Sequence, residues 1–309
     1  IKYMKNLNKL IFGFALTCLA FQAEAQDPNF RMNQFNALTL NPAQAGSNAY
    51  SDISVVGIKQ WNSLPGAPKT AAFSGNFNMG ESFGLGTVIM QDELGPVRTF
   101  NVSINAAYHL KLSEKWKLAV GLKGIVGNTN VDLQGLQVVE SDPDMAANLT
   151  SGIAYNAGYG FVLYSEKFYI GYSQPKVANT NYLDRNMSLY VDAKGGQLGY
   201  VGMNLDMGSN WQWRPNAVVR YIPALPLVLD VNSIFTTKAG LDLGVSYQLN
   251  SSVGAIVGYN IKKKFYLGYS YSYPLNELSN VTIQTHEIGL RYMFSDKNSS
   301  FQGPRFFNN

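Results

Sequence analysis

The feature that most constrains this chain is a two-residue period that returns from about residue 52 to residue 294. In "WKLAVGLKG" (116–124), Trp116, Leu118, Val120 and Leu122 are apolar, while Lys117, Ala119, Gly121 and Lys123 are small or polar. In "FYLGYSYSY" (265–273), Phe265, Leu267, Tyr269, Tyr271 and Tyr273 alternate with Tyr266, Gly268, Ser270 and Ser272. "HEIGLRYMF" (286–294) sets Ile288, Leu290, Tyr292 and Phe294 against Glu287, Gly289 and Arg291. Successive side chains of a strand point to opposite faces, so each stretch reads as a strand with one apolar and one polar or glycine-rich face. The pattern predicts fourteen strands, near 52–60, 69–78, 83–92, 99–111, 116–128, 154–164, 167–174, 195–207, 211–223, 226–235, 238–248, 252–261, 265–273 and 281–294. Most are close to the ~9–11 residues with which a tilted strand crosses a bilayer, and beyond residue 25 no apolar run approaches the ~20 residues of a membrane helix.

Connection lengths distinguish a soluble sandwich from a membrane barrel. After the even-numbered strands come tight turns: "MGES", "LSEK", "SE", "GSN", "TTK" and "KKK". After the odd-numbered strands most connections are longer, as at 61–68, 129–153 and 174–194. Short turns at one end and long loops at the other are the arrangement of outer-membrane barrels, and a sandwich has no reason to sort its loops. Trp116, Phe168 and Phe265 follow tight turns and the last strand ends on Phe294, where an interfacial aromatic girdle belongs. Rings that merely fill a soluble core are the competing explanation of any one of them. Only 14% of the residues are charged, alongside 29 Gly, 19 Tyr and 17 Phe. The expectation is an all-β protein, a transmembrane antiparallel β-barrel of about 14 strands, in a bacterial outer membrane.

The N-terminus fits that destination. Lys5 and Lys9, the apolar run "LIFGFALTCLAF" and then Ala23, Glu24 and Ala25 have the layout of a secretory signal peptide over residues 1–25, with Met4 as its natural start. Cys18, the chain's only cysteine, follows "ALT", a poor lipoprotein cleavage site and the alternative reading. Cleavage before Gln26 leaves no cysteine, hence no disulfide and no thiolate site. It also leaves 21 basic against 19 acidic residues, or +2, without the concentration of Lys and Arg that nucleic-acid binding requires.

Between the signal and the first strand lies "FNALTLNPAQAG" (35–46), which is neither a strand nor an amphipathic helix. Residues 26–50 are expected to be a segment docked at or in the barrel, with Phe35, Leu38 and Leu40 tucked into its mouth or lumen and Pro42 and Gly46 shaping the turn into strand one. The competing expectation is a leader without fixed structure. The barrel proper then spans 51–294, and 295–309 form a periplasmic tail.

The stretch "QDPNFRMNQFNALTLNPAQAG" (26–46) resembles the N-terminal signature of the PorP/SprF family, outer-membrane proteins associated with type IX secretion. Further similar stretches follow in order: "QWNSLPGAPKT" (60–70), "DELGPVRT" (92–99), "YHLKLSEKWKLAVGLKG" (108–124), "YIPALPLVLDVN" (221–232) and "THEIGLRYMF" (285–294). No family pattern is found around 179–196. The resemblance implies a role in exporting or retaining surface proteins, including gliding adhesins, with the type IX machinery and an adhesin-like cargo as partners beside the lipid bilayer.

Site chemistry points away from an enzyme. His109 and His286, the only histidines, each lie in a strand pattern without an acidic partner at motif spacing, so neither a metal site nor a catalytic dyad is expected, and no cofactor. Glu287 and Arg291 share the inward face and are expected to form an ion pair in the lumen. The run Ser141 to Asp144 offers two carboxylates without the spacing of a calcium loop. The glycines of "GLGT" and "GYGF" alternate within strands, where they relieve crowding. Two functions stay open: a component of type IX secretion that exports or anchors a specific cargo, and a porin or transporter for small hydrophobic or polar solutes. Inward positions rich in Gly, Ala, Ser and Tyr favour a narrow or occluded lumen and the first.

Overall fold

The computed structural model describes residues 30–35, 37–48, 50–133, 149–150, 152–178, 195–223, 225–276, 279 and 284–294. The expected signal peptide, the tail 295–309 and the run Ser141 to Asp144 lie outside the described residues.

Strands appear where the two-residue period runs: β1 (Asp52–Lys59), β2 (Lys69–Asn78), β3 (Phe83–Leu94), β4 (Val97–Lys111) and β5 (Lys117–Val131). After β6 (Leu149–Thr150), a two-residue rung on the end of β5, come β7 (Ala154–Tyr164), β8 (Phe168–Gln174), β9 (Gln197–Met203) and β10 (Leu205–Met207). The set closes with β11 (Trp211–Tyr221), β12 (Val228–Thr237), β13 (Leu241–Gln248), β14 (Ser252–Ile261), β15 (Phe265–Pro274) and β16 (Thr285–Met293). The strand expected over 195–207 is interrupted at Asn204, whose amide donates to the carbonyl of Lys167 at 2.8 Å, the next position in the register with β8. β9 and β10 are therefore two parts of one stave, and both pair with β11. With β6 a mere rung, the staves number fourteen.

Every stave pairs antiparallel with its neighbours, and β16 pairs with β1 from Asp52↔Met293 to Lys59↔His286. The sheet is thus a closed barrel with no unpaired edge, the form that satisfies every backbone group in lipid. Its connections keep the expected sorting, with two exceptions: β3 turns into β4 through Gly95 and Pro96 alone, and β13 into β14 through residues 249–251.

Burial is inside out. Large apolar side chains stand exposed on the outer face of the strands, among them Leu122 (66%), Ile104 (65%) and Val245 (60%), as lipid contact requires. Among the inward residues are Asn105, Ser173, Asp242, Glu287 and Arg291, all buried. Rings at the tight-turn end touch one another, with Trp116 6.1 Å from Phe168 and Phe265 4.9 Å from Tyr292.

Candidate functional site

The lumen is occupied by the chain itself. Between Asn33 and Gln44 the segment makes three short turns: a 3-10 turn over Asn33–Phe35, a single α-helical turn over Ala37–Leu40 and a second 3-10 turn over Pro42–Gln44. Asn41 caps the last one. Its backbone is extended (φ −153°), its side-chain oxygen accepts from the Ala43 amide at 2.8 Å, and Pro42 fills the first helical position, where no amide is required.

Turns this short leave backbone groups over, and the barrel wall satisfies them, as buried polar groups demand. Lys123 donates to the Thr39 carbonyl at 3.2 Å, and Ser173 donates to that of Leu40. The Gly46 amide donates to Asn76 at 2.6 Å, and the Asn41 side-chain amide donates to the carbonyls of Phe161 and Tyr172, both at 3.1 Å. Gln44 donates to the Tyr200 hydroxyl at 2.8 Å. His109 lies 2.8 Å from the Ala45 carbonyl through Nε2 and 2.8 Å from the Tyr164 hydroxyl through Nδ1. The carbonyl can only accept, so Nε2 carries the hydrogen, and in the neutral ring Nδ1 accepts from the tyrosine. His286 lies between Tyr269 and Gln284. Among the described residues no group of three His, Cys, Asp or Glu could hold a metal.

Glycines in the wall form the seat for the plug. Gly268 and Gly289 stand opposite each other on β15 and β16, and a Cβ on either would lie 2.8 Å from the Phe35 ring. Gly121 and Gly160 form a second opposed pair, on β5 and β7, the first under Pro42 and Ala43 and the second under Asn41. Gly86 of "GLGT" leaves the space that Leu38 fills. Phe35, Leu38, Leu40 and Pro42 are all buried, in different sectors: Phe35 with Val56, Ile256 and Tyr266, Leu38 with Val88 and Ala107, and Leu40 with Ala119 and Val162. The segment thus touches opposite walls and spans the lumen.

Charges are paired within this interior, in a different arrangement from the expected one. Glu287 and Arg291 do face inward on β16, but they do not pair with each other. Four residues along a strand span about 13 Å, whereas the same spacing on a helix brings side chains together. Arg291 pairs with Asp52 on the adjacent β1 at 3.3 Å and lies over the Phe35 ring, 5.2 Å from its centre. Glu287 accepts from two plug amides, that of Arg31 at 2.8 Å and that of Met32 at 3.2 Å. The Arg31 guanidinium donates to Asp230 at 2.6 Å, to Gln248 at 2.9 Å and to the Ser252 hydroxyl. Arg214 meets Asp242 at 2.6 Å, and Tyr266, whose ring contacts Phe35, donates to the same carboxylate at 2.7 Å. Arg31, Asp230 and Asn41 were not singled out from sequence, although Asp230 lies at an inward position of the alternation.

Between the plug and the long-loop end lies a cavity of about 730 Å³. Phe30, Arg31, Thr39 and Leu40 of the plug line it, together with Ile58, Val88, Met90, Ile125 and Leu198 of the wall and Ile222, Leu225 and Leu227 of the β11–β12 connection.

A closed antiparallel barrel with an apolar exterior and a lumen spanned by its own N-terminal segment defines an outer-membrane β-barrel protein. Residues 22–292 match the family described as "Type IX secretion system membrane protein PorP/SprF", and the chain belongs to that family. A search of curated proteins found no match. Among solved structures the chain is similar to the Acinetobacter baumannii outer membrane protein Omp33, with 12% identity, 79% of this chain and 98% of that one covered, and a TM-score of 0.46. It is also similar to the Ralstonia pickettii toluene transporter TbuX (13% identity, 84% and 94% covered, TM-score 0.46). A Pseudomonas aeruginosa FadL homologue is a third (11% identity, 87% and 95% covered, TM-score 0.45).

Proposed function

We propose that this barrel supports the export or surface attachment of a particular adhesin-like cargo of type IX secretion, with its long loops outside the cell and both ends of the barrel strand set in the periplasm. Membership of the PorP/SprF family supplies the machinery, and the plug is the observation that carries the reading. A lumen spanned by a segment bonded to nearly every wall is poorly suited to free passage of solutes. It is suited to a rigid scaffold whose outer loops present a partner-specific surface, because loops on a fixed frame can change without disturbing it.

The apolar part of the cavity lining favours a second reading, uptake of a small hydrophobic solute. One deletion strain separates the two. Loss of a limited set of surface adhesins, with other type IX substrates still exported, supports the cargo reading. Normal adhesin display with slower growth on particular solutes supports transport instead.

A further inference from the structure

We infer that the lumen wall contains a peptide-binding site specific for an arginine flanked by apolar residues, occupied in this structure by Phe30–Arg31–Met32 of the same chain, and that an arginine-bearing segment of a partner protein takes the same place. The inference rests on the export reading, in that it names the chemistry of a partner for the barrel interior.

Three observations carry it. First, the recognition combines main chain and side chain: the Glu287 carboxylate accepts from the backbone amides of Arg31 and Met32, while Asp230, Gln248 and Ser252 accept from the guanidinium. Phe30 and Met32, its neighbours in sequence, both pack into one cluster with Ile58, Ile234 and Ile256. Second, a buried ion pair is a poor way merely to fix a plug, since apolar side chains of the same volume do so as well or better, and the best-attested use of such pairs is to set register or to switch. Close contact with glycines of the wall already seats the plug, Met32 and Phe35 on Gly268 and the part from Leu38 to Gly46 on Gly86, Gly160, Gly121 and Gly84, so the ion pair is not needed for that. Third, Phe30, Arg31, Gln248, Ser252 and Ser272 all line the cavity at the long-loop end, so a chain entering there reaches the guanidinium subsite directly.

The test uses the purified full chain in detergent and an eight-residue fluorescent peptide with Phe-Arg-Met at its centre, compared with the same peptide carrying citrulline for arginine. With the site filled by its own segment, wild-type protein binds the arginine peptide weakly. Arg31→Ala vacates the guanidinium subsite and raises the apparent affinity by about tenfold or more, because affinity scales with the fraction of vacant sites. The citrulline peptide gains nothing, and adding Asp230→Asn to Arg31→Ala abolishes the gain. Folding is followed by the gel shift of the heated against the unheated barrel. If Arg31→Ala does not fold, Arg31→Lys, which keeps the charge and loses the planar fork, replaces it and gives a smaller gain with the same selectivity. Equal binding of the two peptides, or no gain in the folded variant, overturns the proposal. Because no cell is involved, that failure is distinct from failure of the export reading, which the deletion strain decides.

Discussion

Gly46 of the plug and Gly84 of β3 face each other backbone to backbone: a Cβ on Gly46 would lie 2.4 Å from the Gly84 Cα, and one on Gly84 2.5 Å from the Gly46 Cα. Neither atom is the yielding end of a side chain, so the contact tolerates no methyl group. Gly84→Ala is expected to destabilise the barrel by about 1–3 kcal/mol through overpacking. Gly57→Ala, where a Cβ meets nothing within 4 Å, serves as the control and should stay within about 0.5 kcal/mol. Urea unfolding in detergent measures both, and equal stability of the two variants would show that the plug is not seated at Gly84.

Asn41 holds the plug by donor and acceptor together. Asn41→Ala removes three hydrogen bonds and should cost about 2–3 kcal/mol. Asn41→Asp keeps the bond from Ala43 but turns two donor contacts into a carboxylate facing two carbonyls, so it should be worse than alanine. The order of the two melting temperatures decides the point.

The separate pairing of Arg291 and Glu287 is open to double-mutant cycles. Arg291→Met combined with Asp52→Asn should show a coupling above about 0.5 kcal/mol, whereas Arg291→Met with Glu287→Gln should be additive within about that amount. Reversed couplings would restore the pairing expected from sequence.

Lys262 and Lys263 both adopt the left-handed conformation, with φ of 53° and 54°, in a tight turn closed by Lys264 donating to Ile261 at 3.1 Å. Asn and Gly are the residues such turns favour. Lys262→Asn with Lys263→Gly should therefore stabilise the barrel by about 1 kcal/mol. A lower urea midpoint would count against a strained turn.

Orientation in the membrane is tested with single cysteines in a chain whose own cysteine, Cys18, is replaced by Ser. Cysteines at Ser63 and Ile153, at the long-loop end, should react with a membrane-impermeant maleimide on intact cells. One at Lys263 should react only after the outer membrane is opened. Labelling of Lys263→Cys on intact cells would invert the topology.

Much of this architecture was legible in the sequence because its signals are local. A strand alternates residue by residue, so Leu118, Val120 and Leu122 show a lipid-facing side on their own, and turn lengths sort without knowledge of any contact. The closed barrel of fourteen staves follows from those two patterns. The break at Asn204 did not, since nothing in the alternation of 195–207 marks it. Neither did the partners inside. Glu287 meets Arg31 across 256 positions of sequence, and Arg31 meets Asp230 across 199. Such neighbours exist only once β16 has closed on β1 and the N-terminal segment has folded into the lumen. The glycines of "GLGT" and "GYGF" were visible as gaps in the wall. What fills them, Leu38 over Gly86 and Asn41 over Gly160, was decided by tertiary structure, because a missing side chain has no preference of its own until another residue arrives to occupy its space.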